Sequence, residues 1–441
     1  MKILFEVWGN YKNWRKVNYF FNEKNKESET SLPVLYEDIK PEKVFIILSD
    51  TLIDNFVSNS KDIEYIDFID KIKEDVLNFV NNGILQKENL LVIPGIGSFE
   101  KSEFMGNPNN FFYLLYYEVV KKINELLEES TENNKNLNEI EVFLDITHGI
   151  NYMTVMTYRA LKDIFSIISF FYKVKFTVLN SDPVVGSNVN EVNINQIENI
   201  NLVPQFNFYK FNNTRLLRPF EKIDCSKKID IGQKINNIEK NNNKIINDCY
   251  AFAGSFQNAL LPFIYYFYPD IVQLGKMLDN IICFFKEYLA IENMGSNKIS
   301  IIQQINIQPL FQSLLQVFLI SNLLIKKYSI GEKAEIELKE FNQLINLYNF
   351  SPTLKIRLTK ELEKIKNIKN IENEYKDYGN FAIDNYQETN NIDDRNLYAH
   401  CGFAYTITQI KKVNEKVFIK VKDSVLKNIK NIILNNISNG D

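Results

Sequence analysis

The chain has 441 residues, of which 45% are hydrophobic and 24% are charged, and its formal net charge is −4. This composition excludes a disordered chain and provides enough apolar material for two or three domains, each with its own core. The near-neutral charge also excludes a polycation. Any contact with nucleic acid must therefore come from a local site rather than from a general basic surface.

The cysteines and histidines set limits on location and on metal chemistry. Four cysteines are scattered along the chain without Cys-x-x-Cys spacing, and only two histidines occur, His148 and His400. A chain of this length needs no disulfides, so we expect reduced thiols and a cytoplasmic protein. We expect no metal site. The apolar runs are too short for a spanning helix or a signal peptide, which predicts no membrane association.

Short apolar runs alternate with amphipathic segments in the first half of the chain. This alternation predicts an α/β domain with a Rossmann-like, mainly parallel sheet and helices on both faces. The polar segments Asn22–Ser31 and Ser130–Asn138 are expected to be loops. The predicted strands are Lys2–Val7, Lys43–Leu48, Asn89–Ile93, Glu141–Asp145, Lys173–Leu179 and Asn188–Ile194, and the predicted helices are Ile63–Val80, Asn109–Glu129 and Asn151–Phe171.

The alternation stops near residue 200, and the second half of the chain reads as all-α. The Asn-rich segment Asn195–Asn243 is predicted to be a connector. The expected domains are residues 1–205, a linker with helices over 206–300, and an all-α domain over 301–441. The predicted helices are Asn247–Tyr265, Ile271–Ile291, Gln308–Tyr328, Glu332–Asn349, Thr353–Tyr378, Arg395–Lys412 and Val417–Asn435.

Polar turns, three of which contain glycine, follow four of the predicted strands, at Val7–Asn10, Ser49–Thr51, Pro94–Phe99 and Thr147–Tyr152. In an open α/β sheet, ligands bind in the crevice outside the carboxyl ends of the strands. Glycines let a ligand approach the backbone, and a helix N terminus attracts an anion. The four turns together predict a site for a phosphate-bearing nucleotide, although each turn alone also has an ordinary structural explanation.

A second candidate site lies in residues 391–402, where Arg395 precedes His400 by five residues. On one smooth helix two such side chains point about 140° apart. They converge only if Arg395 lies in the opening turn, for which Asp393 or Asp394 is a plausible N-cap, or if two copies meet across a dimer. A histidine and an arginine suffice for metal-free RNA cleavage by the 2′-OH, which leaves a 2′,3′-cyclic phosphate and a 5′-OH end. The ordinary alternative is a surface helix.

Three stretches resemble known families. RNLYAH, from Arg395 to His400, resembles the R-x-x-x-x-H signature of HEPN ribonuclease domains. LDITHGINYM, from Leu144 to Met153, and the PGIGSF turn resemble the nucleotide-sensing loops of CARF domains, the CRISPR-associated Rossmann folds. Their order along the chain resembles that of the CARF–HEPN ancillary ribonucleases of type III CRISPR systems.

The resemblance implies a cyclic-oligoadenylate sensor at residues 1–205 and a HEPN ribonuclease domain at the C-terminal end. Such a protein binds the ring, expected here to be cyclic tetra-adenylate, across a homodimer or a higher homo-oligomer, and then cleaves single-stranded RNA without a cofactor. The implied catalytic residues are Arg395 and His400, supported by Asn396. The implied ligand-binding residues are Gly95, Gly97, Thr147, His148, Gly149, Asn151 and Tyr152, with Gly9, Asn10 and Ser49 matched by position only.

Several alternatives stay open at this point. Adenine rings are candidates to lie against Trp8, Phe99 or Tyr152, and we expect Phe99 to be part of the core instead. A DNA-binding regulator that uses helices within residues 206–300 is one different function. A HEPN toxin that senses another nucleotide is a second. Slow cleavage of the bound ring near Ser49, Thr147 and His148 is a further hypothesis.

Overall fold

The computed structural model describes residues 1–57, 64–80, 83–132, 137–183, 190–206, 208, 210–211, 215–295, 298–390, 392–437 and 439–440. The chain forms two compact units. The first contains Met1–Leu202, Leu216–Asn237 and Asp279–Gln312, and the second contains Val203–Arg215, Ile238–Leu278 and Ser313–Asp441. Compact units are not family domains, so the predicted boundaries at residues 205 and 300 stay predictions.

The elements follow in chain order. The strands are β1 (Lys2–Val7), β2 (Val17–Phe21), β3 (Lys24–Ser28), β4 (Lys43–Ser49), β5 (Leu90–Ile93), β6 (Gly97–Ser98), β7 (Ser102–Met105), β8 (Glu139–Asp145), β9 (Lys173–Ser181), β10 (Glu191–Asn201), β11 (Lys210–Phe211), β12 (Leu217–Pro219), β13 (Leu289–Gly295), β14 (Lys298–Gln303), β15 (Ile305–Ile307), β16 (Ile336–Glu337), β17 (Lys376–Asp377), β18 (Thr408–Val413), β19 (Lys416–Val421) and β20 (Asn439–Gly440). The helices are α1 (Leu32–Ile39), α2 (Tyr65–Val80), α3 (Asn109–Glu132), α4 (Asn151–Ile168), α5 (Cys225–Gln257), α6 (Leu261–Tyr266), α7 (Ile271–Glu287), α8 (Pro309–Tyr328), α9 (Phe341–Leu347), α10 (Pro352–Lys366), α11 (Gly379–Ala382), α12 (Asp394–Ala399) and α13 (Leu426–Asn436).

The first unit is built on an eight-stranded sheet of order β3-β2-β10-β9-β8-β1-β4-β5. The five strands from β9 to β5 run parallel to one another. Leu4 of β1 lies in a buried cluster with side chains of α1 and α2, and the ring of Phe5 lies 6.2 Å from that of Phe165 in α4. Helices therefore cover both faces, and the predicted Rossmann-like class is confirmed. Each fully buried side chain of this size contributes roughly 1.5–3 kcal/mol.

The edge of this sheet differs from the prediction. The predicted loop Asn22–Ser31 contains β3, which pairs with β2 in a hairpin that the sequence pattern did not reveal. All five residues of β3 are polar and most are exposed, so they carry no apolar alternation. Ile63, the predicted start of a helix, and Asn188, the predicted start of a strand, lie outside the described residues. Residues 133–136 of the predicted loop Ser130–Asn138 lie outside them as well.

The predicted connector Asn195–Asn243 was wrong at both ends. Strand β10 continues to Asn201, and helix α5 begins at Cys225. The residues that follow α7 form β13 and β14, and β14 pairs in parallel with β7. These strands alternate polar and apolar residues only over short stretches, so their pairing partners rather than their own pattern define them.

The C-terminal region is helical as predicted, with α8 to α13, and it also contains a four-stranded antiparallel sheet of order β16-β19-β18-β17. The predicted helices Arg395–Lys412 and Val417–Asn435 were wrong in their bounds, because β18 and β19 occupy parts of both. These strands form a hairpin whose two turn residues, Asn414 and Glu415, have φ values of 49° and 65°. Two successive positive φ values are typical of the tight type I′ hairpin turn.

Among the described residues, α8 is the one helix that is long and apolar enough to cross a membrane. Of its most apolar 18-residue window, 67% is buried inside the protein. Burial of this kind is what a core helix of a soluble protein shows, since a core helix is apolar on most of its surface.

Candidate functional site

The turns after the parallel strands meet at one edge of the first unit's sheet. The backbone N–H of Gly9 donates to the carbonyl oxygen of His148 at 2.9 Å. A Cβ atom on Gly9 would lie 2.8 Å from Cγ2 of Ile150, so only glycine permits this approach. The turn after β1 therefore packs directly on the turn after β8.

The loop after β5 is held by the neighbouring turns. The N–H of Gly95 donates to Oδ1 of Asp50 at 2.7 Å, and the N–H of Ile96 donates to the hydroxyl oxygen of Tyr152 at 2.9 Å. A Cβ atom on Gly95 would overlap the hydroxyl of Ser49. Ser49, Gly95 and Tyr152 are thus brought together, but the Ser49 side chain lies underneath the loop and is buried.

The loop after β5 is also held by a side chain of β14. Nε2 of Gln303, at the end of β14, donates to the carbonyl oxygen of Gly95 at 2.8 Å. Nδ2 of Asn110 donates to Oε1 of Gln303 at 2.8 Å and to the carbonyl oxygen of Ile305 at 2.9 Å. All the side chains involved are buried. No local sequence pattern pointed to Gln303 or Asn110, because their partners are about 200 residues away.

Asp50 was within a turn singled out from the sequence, but it was not chosen as a site residue. Its Oδ2 accepts from the hydroxyl of Tyr65 at 2.9 Å. Burial raises the pKa of Asp50 to about 7, although the hydrogen bonds from Gly95, Tyr65 and Ser49 oppose this shift. The group that holds the glycine loop is therefore close to its titration point at neutral pH.

His148 is held by groups on the β2–β3 side of the crevice. The N–H of Ser31 donates to Nε2 of His148 at 3.2 Å, and the hydroxyl of Tyr19 lies 3.3 Å from the same nitrogen. The ring of Trp14 lies against the imidazole at a centroid distance of 4.1 Å. Burial lowers the pKa of His148 to about 4. His148 is therefore uncharged at neutral pH, and its Nε2 is a hydrogen-bond acceptor.

The hydroxyl of Thr147 both donates and accepts a hydrogen bond within the protein. Its hydroxyl donates to Oδ1 of Asp145 at 2.5 Å and accepts from the N–H of Ser181 at 3.0 Å. Burial raises the pKa of Asp145. Beside these residues lies a cavity of about 700 Å³, lined in part by Trp14, Arg15, Thr147, His148 and Ser181.

Helix α4 begins directly after the Thr147–Ile150 turn. Its N-cap residue, Ile150, makes no capping hydrogen bond through a side chain, and Asn151 at the first position is exposed. An N terminus of this kind offers backbone N–H groups and a partial positive charge to an anion. Ile150 and Val155, on the same helix start, are 39% and 67% exposed.

The remaining predicted ligand residues lie farther from these contacts. Asn10 is exposed and is paired with Asn55. Gly97 has a φ of 153° and packs against the ring of Phe99, and a Cβ atom on Gly149 would overlap Thr154. Phe99 is 41% exposed, so the expected core placement was wrong.

Trp8 is a core residue. It is 1% exposed, and its indole N–H donates to Oε2 of Glu6 at 2.8 Å. Because both its ring and its polar tip are engaged inside the protein, Trp8 is not available to stack on an adenine ring.

The second candidate site lies in the second unit, at α12. Oδ1 of Asp393 accepts from the N–H groups of Arg395 at 2.8 Å and Asn396 at 3.3 Å, so Asp393 is the N-cap. The helix ends at Ala399, with His400 as its C-cap, because Cys401 and Gly402 follow with φ values of 51° and 88°. Arg395 therefore lies in the opening turn, as convergence on one protomer requires, and the predicted helix to Lys412 was wrong.

His400 is paired with a carboxylate that the sequence pattern did not reveal. Its Nδ1 lies 3.2 Å from Oε2 of Glu361 in α10, and the ring of Tyr405 lies 5.3 Å away. The side chain of Glu361 is 6% exposed and that of His400 is 23% exposed. Arg395 and Asn396 are exposed. The arrangement presents a partly accessible imidazole, backed by a buried acid, directly after the short helix whose first turn contains Arg395 and Asn396.

The described residues contain no group of three or more histidine, cysteine, aspartate or glutamate side chains that could hold a metal ion. The four cysteines are free thiols. Both the absence of a metal cofactor and the cytoplasmic location stay predictions.

Comparison with known proteins gives concordant results. Residues 3–183 match the family model described as the CARF domain of CRISPR system endoribonuclease Csx1, and residues 351–423 match the HEPN domain of the same endoribonuclease. The CRISPR system endoribonuclease Csx1 of Methanocaldococcus jannaschii is 30% identical over 455 residues, which cover 96% of the chain and 90% of the relative.

Proposed function

The chain belongs to the Csx1 family of CRISPR system endoribonucleases, and we propose that a cyclic oligoadenylate bound at the first unit's crevice activates cleavage of single-stranded RNA by Arg395 and His400. An endoribonuclease acts on RNA, and a CARF domain binds a nucleotide-like activator. The identity of the ring, the strandedness of the RNA and the chemistry of cleavage form the proposal. Membership of an endoribonuclease family excludes the alternative of a DNA-binding regulator.

The observation that carries the activator site is the uncapped N terminus of α4 beside the interlocked turns. A phosphate bound there accepts hydrogen bonds from backbone N–H groups of the first helical turn, because Ile150 provides no side-chain cap for them. This arrangement binds a phosphodiester without a basic surface, which agrees with the net charge of −4. The predicted ligand residues Thr147 and Gly149 lie within the turn before α4, and Asn151 is the first residue of the helix.

The shape of the ligand favours a dimer. A ring of four identical nucleotides has two-fold symmetry, and a two-fold ligand is matched by a two-fold protein site. Ile150 and Val155 expose apolar surface at the start of α4, next to the proposed phosphate site. Exposed apolar side chains beside a binding site are typical of an interface. We therefore infer a homodimer across this edge. We also propose that the protein acts in the cytoplasm and away from membranes.

The cleavage step needs a base and a cation. His400 takes the proton of the ribose 2′-OH while the 2′ oxygen attacks the adjacent phosphorus, and Arg395 stabilises the charge of the phosphorane. The bond to the 5′ oxygen then breaks and that oxygen takes up a proton. The products are a 2′,3′-cyclic phosphate and a 5′-OH end, with no metal or water consumed. Asn396 supports Arg395 from the same exposed turn.

Cleavage of a fluorescent single-stranded RNA, with and without cyclic tetra-adenylate and with EDTA, tests this function. We expect cleavage that depends on the ring, resists EDTA and is lost in the His400→Ala variant. Cleavage by that variant at the wild-type rate would contradict the catalytic assignment. Ring-independent cleavage would instead contradict the activator assignment.

The same structure weighs against a part for His148 in the slow cleavage of the ring. Its Nε2 already accepts a hydrogen bond from Ser31, and its low pKa leaves the imidazole uncharged at neutral pH, so it is not a general acid. We therefore propose that His148 shapes the site rather than acting on the ring.

A further inference from the structure

We infer that Glu361 is the positioning residue of the RNA-cleaving site, because it fixes the tautomer and the orientation of His400. This inference deepens the proposed function and rests on the role of His400 in that function. Neither the R-x-x-x-x-H signature nor any sequence motif points to Glu361, which lies 39 residues before His400.

The geometry defines a carboxylate–imidazole dyad. Oε2 of Glu361 lies 3.2 Å from Nδ1 of His400. The carboxylate side chain is 6% exposed, whereas the imidazole is 23% exposed. The acid therefore lies on the protein side of the ring, and the ring retains access to a substrate from solvent.

Glu361 is itself held in place. Its second carboxylate oxygen, Oε1, accepts from Nζ of Lys364, one turn later on α10, at 2.7 Å. Leu358, Leu362 and Ile365 of the same helix are buried and anchor it to the second unit's core. Because both carboxylate oxygens are engaged, one by the Lys364 ammonium and one by the His400 imidazole, the side chain is held in one rotamer.

This arrangement selects one form of the imidazole. An ionised carboxylate only accepts hydrogen bonds, so Nδ1 of His400 must carry the proton, and the lone pair lies on Nε2. During cleavage the 2′-OH proton moves to Nε2. The resulting imidazolium keeps its Nδ1–H donated to Glu361. The dyad thus supplies a base that is correctly oriented before RNA binds, as the acid of a serine-protease triad does for its histidine.

A purely structural role for Glu361 predicts something different. In that case the contact only ties α10 to the segment that contains His400, and its loss lowers stability without selecting a tautomer. The test must therefore read out the imidazole and the turnover rate separately from folding.

The test compares Glu361→Gln with Glu361→Asp and with the matched control Glu363→Gln. Glu363 lies two residues away on α10, carries the same charge and is exposed. With RNA and saturating cyclic tetra-adenylate, we expect Glu361→Gln to lower kcat at least about tenfold with little change in KM. Glu361→Asp should recover part of that loss, and Glu363→Gln should match the wild type.

The second readout is the nitrogen NMR spectrum of the histidine rings. The chain has only two histidines, so selective ¹⁵N labelling gives two ring systems, and the His400→Ala variant identifies that of His400. We expect the Nδ1–H tautomer for His400 in the wild type and a shift toward Nε2–H in Glu361→Gln. Thermal unfolding of each variant shows whether it is folded.

The outcomes separate the two proposals. If His400→Ala still cleaves RNA, the proposed function fails and the dyad fails with it. If His400→Ala is inactive while Glu361→Gln keeps the wild-type kcat, only the dyad is refuted. A lower kcat in Glu361→Gln with an unchanged His400 tautomer would also refute the dyad, because it would show a structural role.

Discussion

Replacing Gln303 with leucine should weaken activator binding through the loop after β5. Gln303 is buried, and its Nε2 is the side-chain donor to the carbonyl oxygen of Gly95. Leucine has a similar volume but no donor, so this carbonyl loses a hydrogen bond inside the protein. Asn110 keeps its bond to the carbonyl oxygen of Ile305 but loses Oε1 of Gln303 as the acceptor of its other N–H. Each buried group left without its partner costs about 1–3 kcal/mol, and the share of the Gly95 carbonyl falls on the loop.

That energy applies to the loop conformation that binds the ring. If it falls wholly on this conformation, the dissociation constant for cyclic tetra-adenylate rises about 5- to 150-fold. Isothermal titration calorimetry measures this change, with Gln196→Leu as the control because Gln196 is an exposed strand residue of the same unit. Unchanged affinity and unchanged thermal stability of Gln303→Leu would refute the view that this contact holds the loop.

Three further predictions follow from other contacts. Gly402→Ala should lower the thermal unfolding midpoint by several degrees, because Gly402 has a φ of 88° and a Cβ atom there would lie 3.0 Å from Cδ of Pro262. The control Gly331→Ala should leave the midpoint nearly unchanged, because no described atom lies within 4 Å of the added Cβ. Burial raises the pKa of Asp50 to about 7, so between about pH 4 and pH 7 the folded state holds a proton that the unfolded state has lost. The free energy of unfolding should therefore fall by up to about 4 kcal/mol as the pH rises through this range. Asp50→Asn should flatten this part of a urea-unfolding pH series, and an unchanged slope would contradict the assignment. Cleavage of RNA in excess EDTA should proceed at the untreated rate, and restoration by added Mg²⁺ after a loss would show a required metal.

The sheet was predictable from the sequence because its parallel strands are buried on both faces. KVFIIL in β4 and EVFLD in β8 are short apolar runs with polar ends, and such runs leave few alternatives. The hairpin of β2 and β3 was not predictable in the same way. The residues of β3 are polar, and its place in the sheet depends on partners rather than on its own pattern.

The end of α12 shows a different limit. Nothing in the polarity of RNLYAHCGFAYTITQIKK stops a helix before Gly402, and the prediction continued it to Lys412. In the structure the helix ends at Ala399, because Cys401 adopts a positive φ and its carbonyl oxygen accepts from the N–H of Leu261. A tertiary contact thus overrides helix propensity at this point.

The sites were predictable as motifs but not as networks. Arg395, His400 and the turn from Thr147 to Tyr152 were found because their residue types are chemically distinctive and close in sequence. Glu361 and Gln303 were missed because glutamate and glutamine are common and their partners are distant in the chain. Long-range pairs of ordinary residues leave no local signal, so only a structure identifies them.

Activation of metal-free RNA cleavage by His400 through ring binding can be read from the ends of the RNA fragments. Mass spectrometry identifies these ends after incubation of RNA with wild-type protein, cyclic tetra-adenylate and EDTA together. We expect fragments that end in a 2′,3′-cyclic phosphate and begin with a 5′-OH, and that are absent without the ring and from the His400→Ala variant. Fragments with 5′-phosphate ends, or cyclic-phosphate fragments made equally well by His400→Ala, would contradict it.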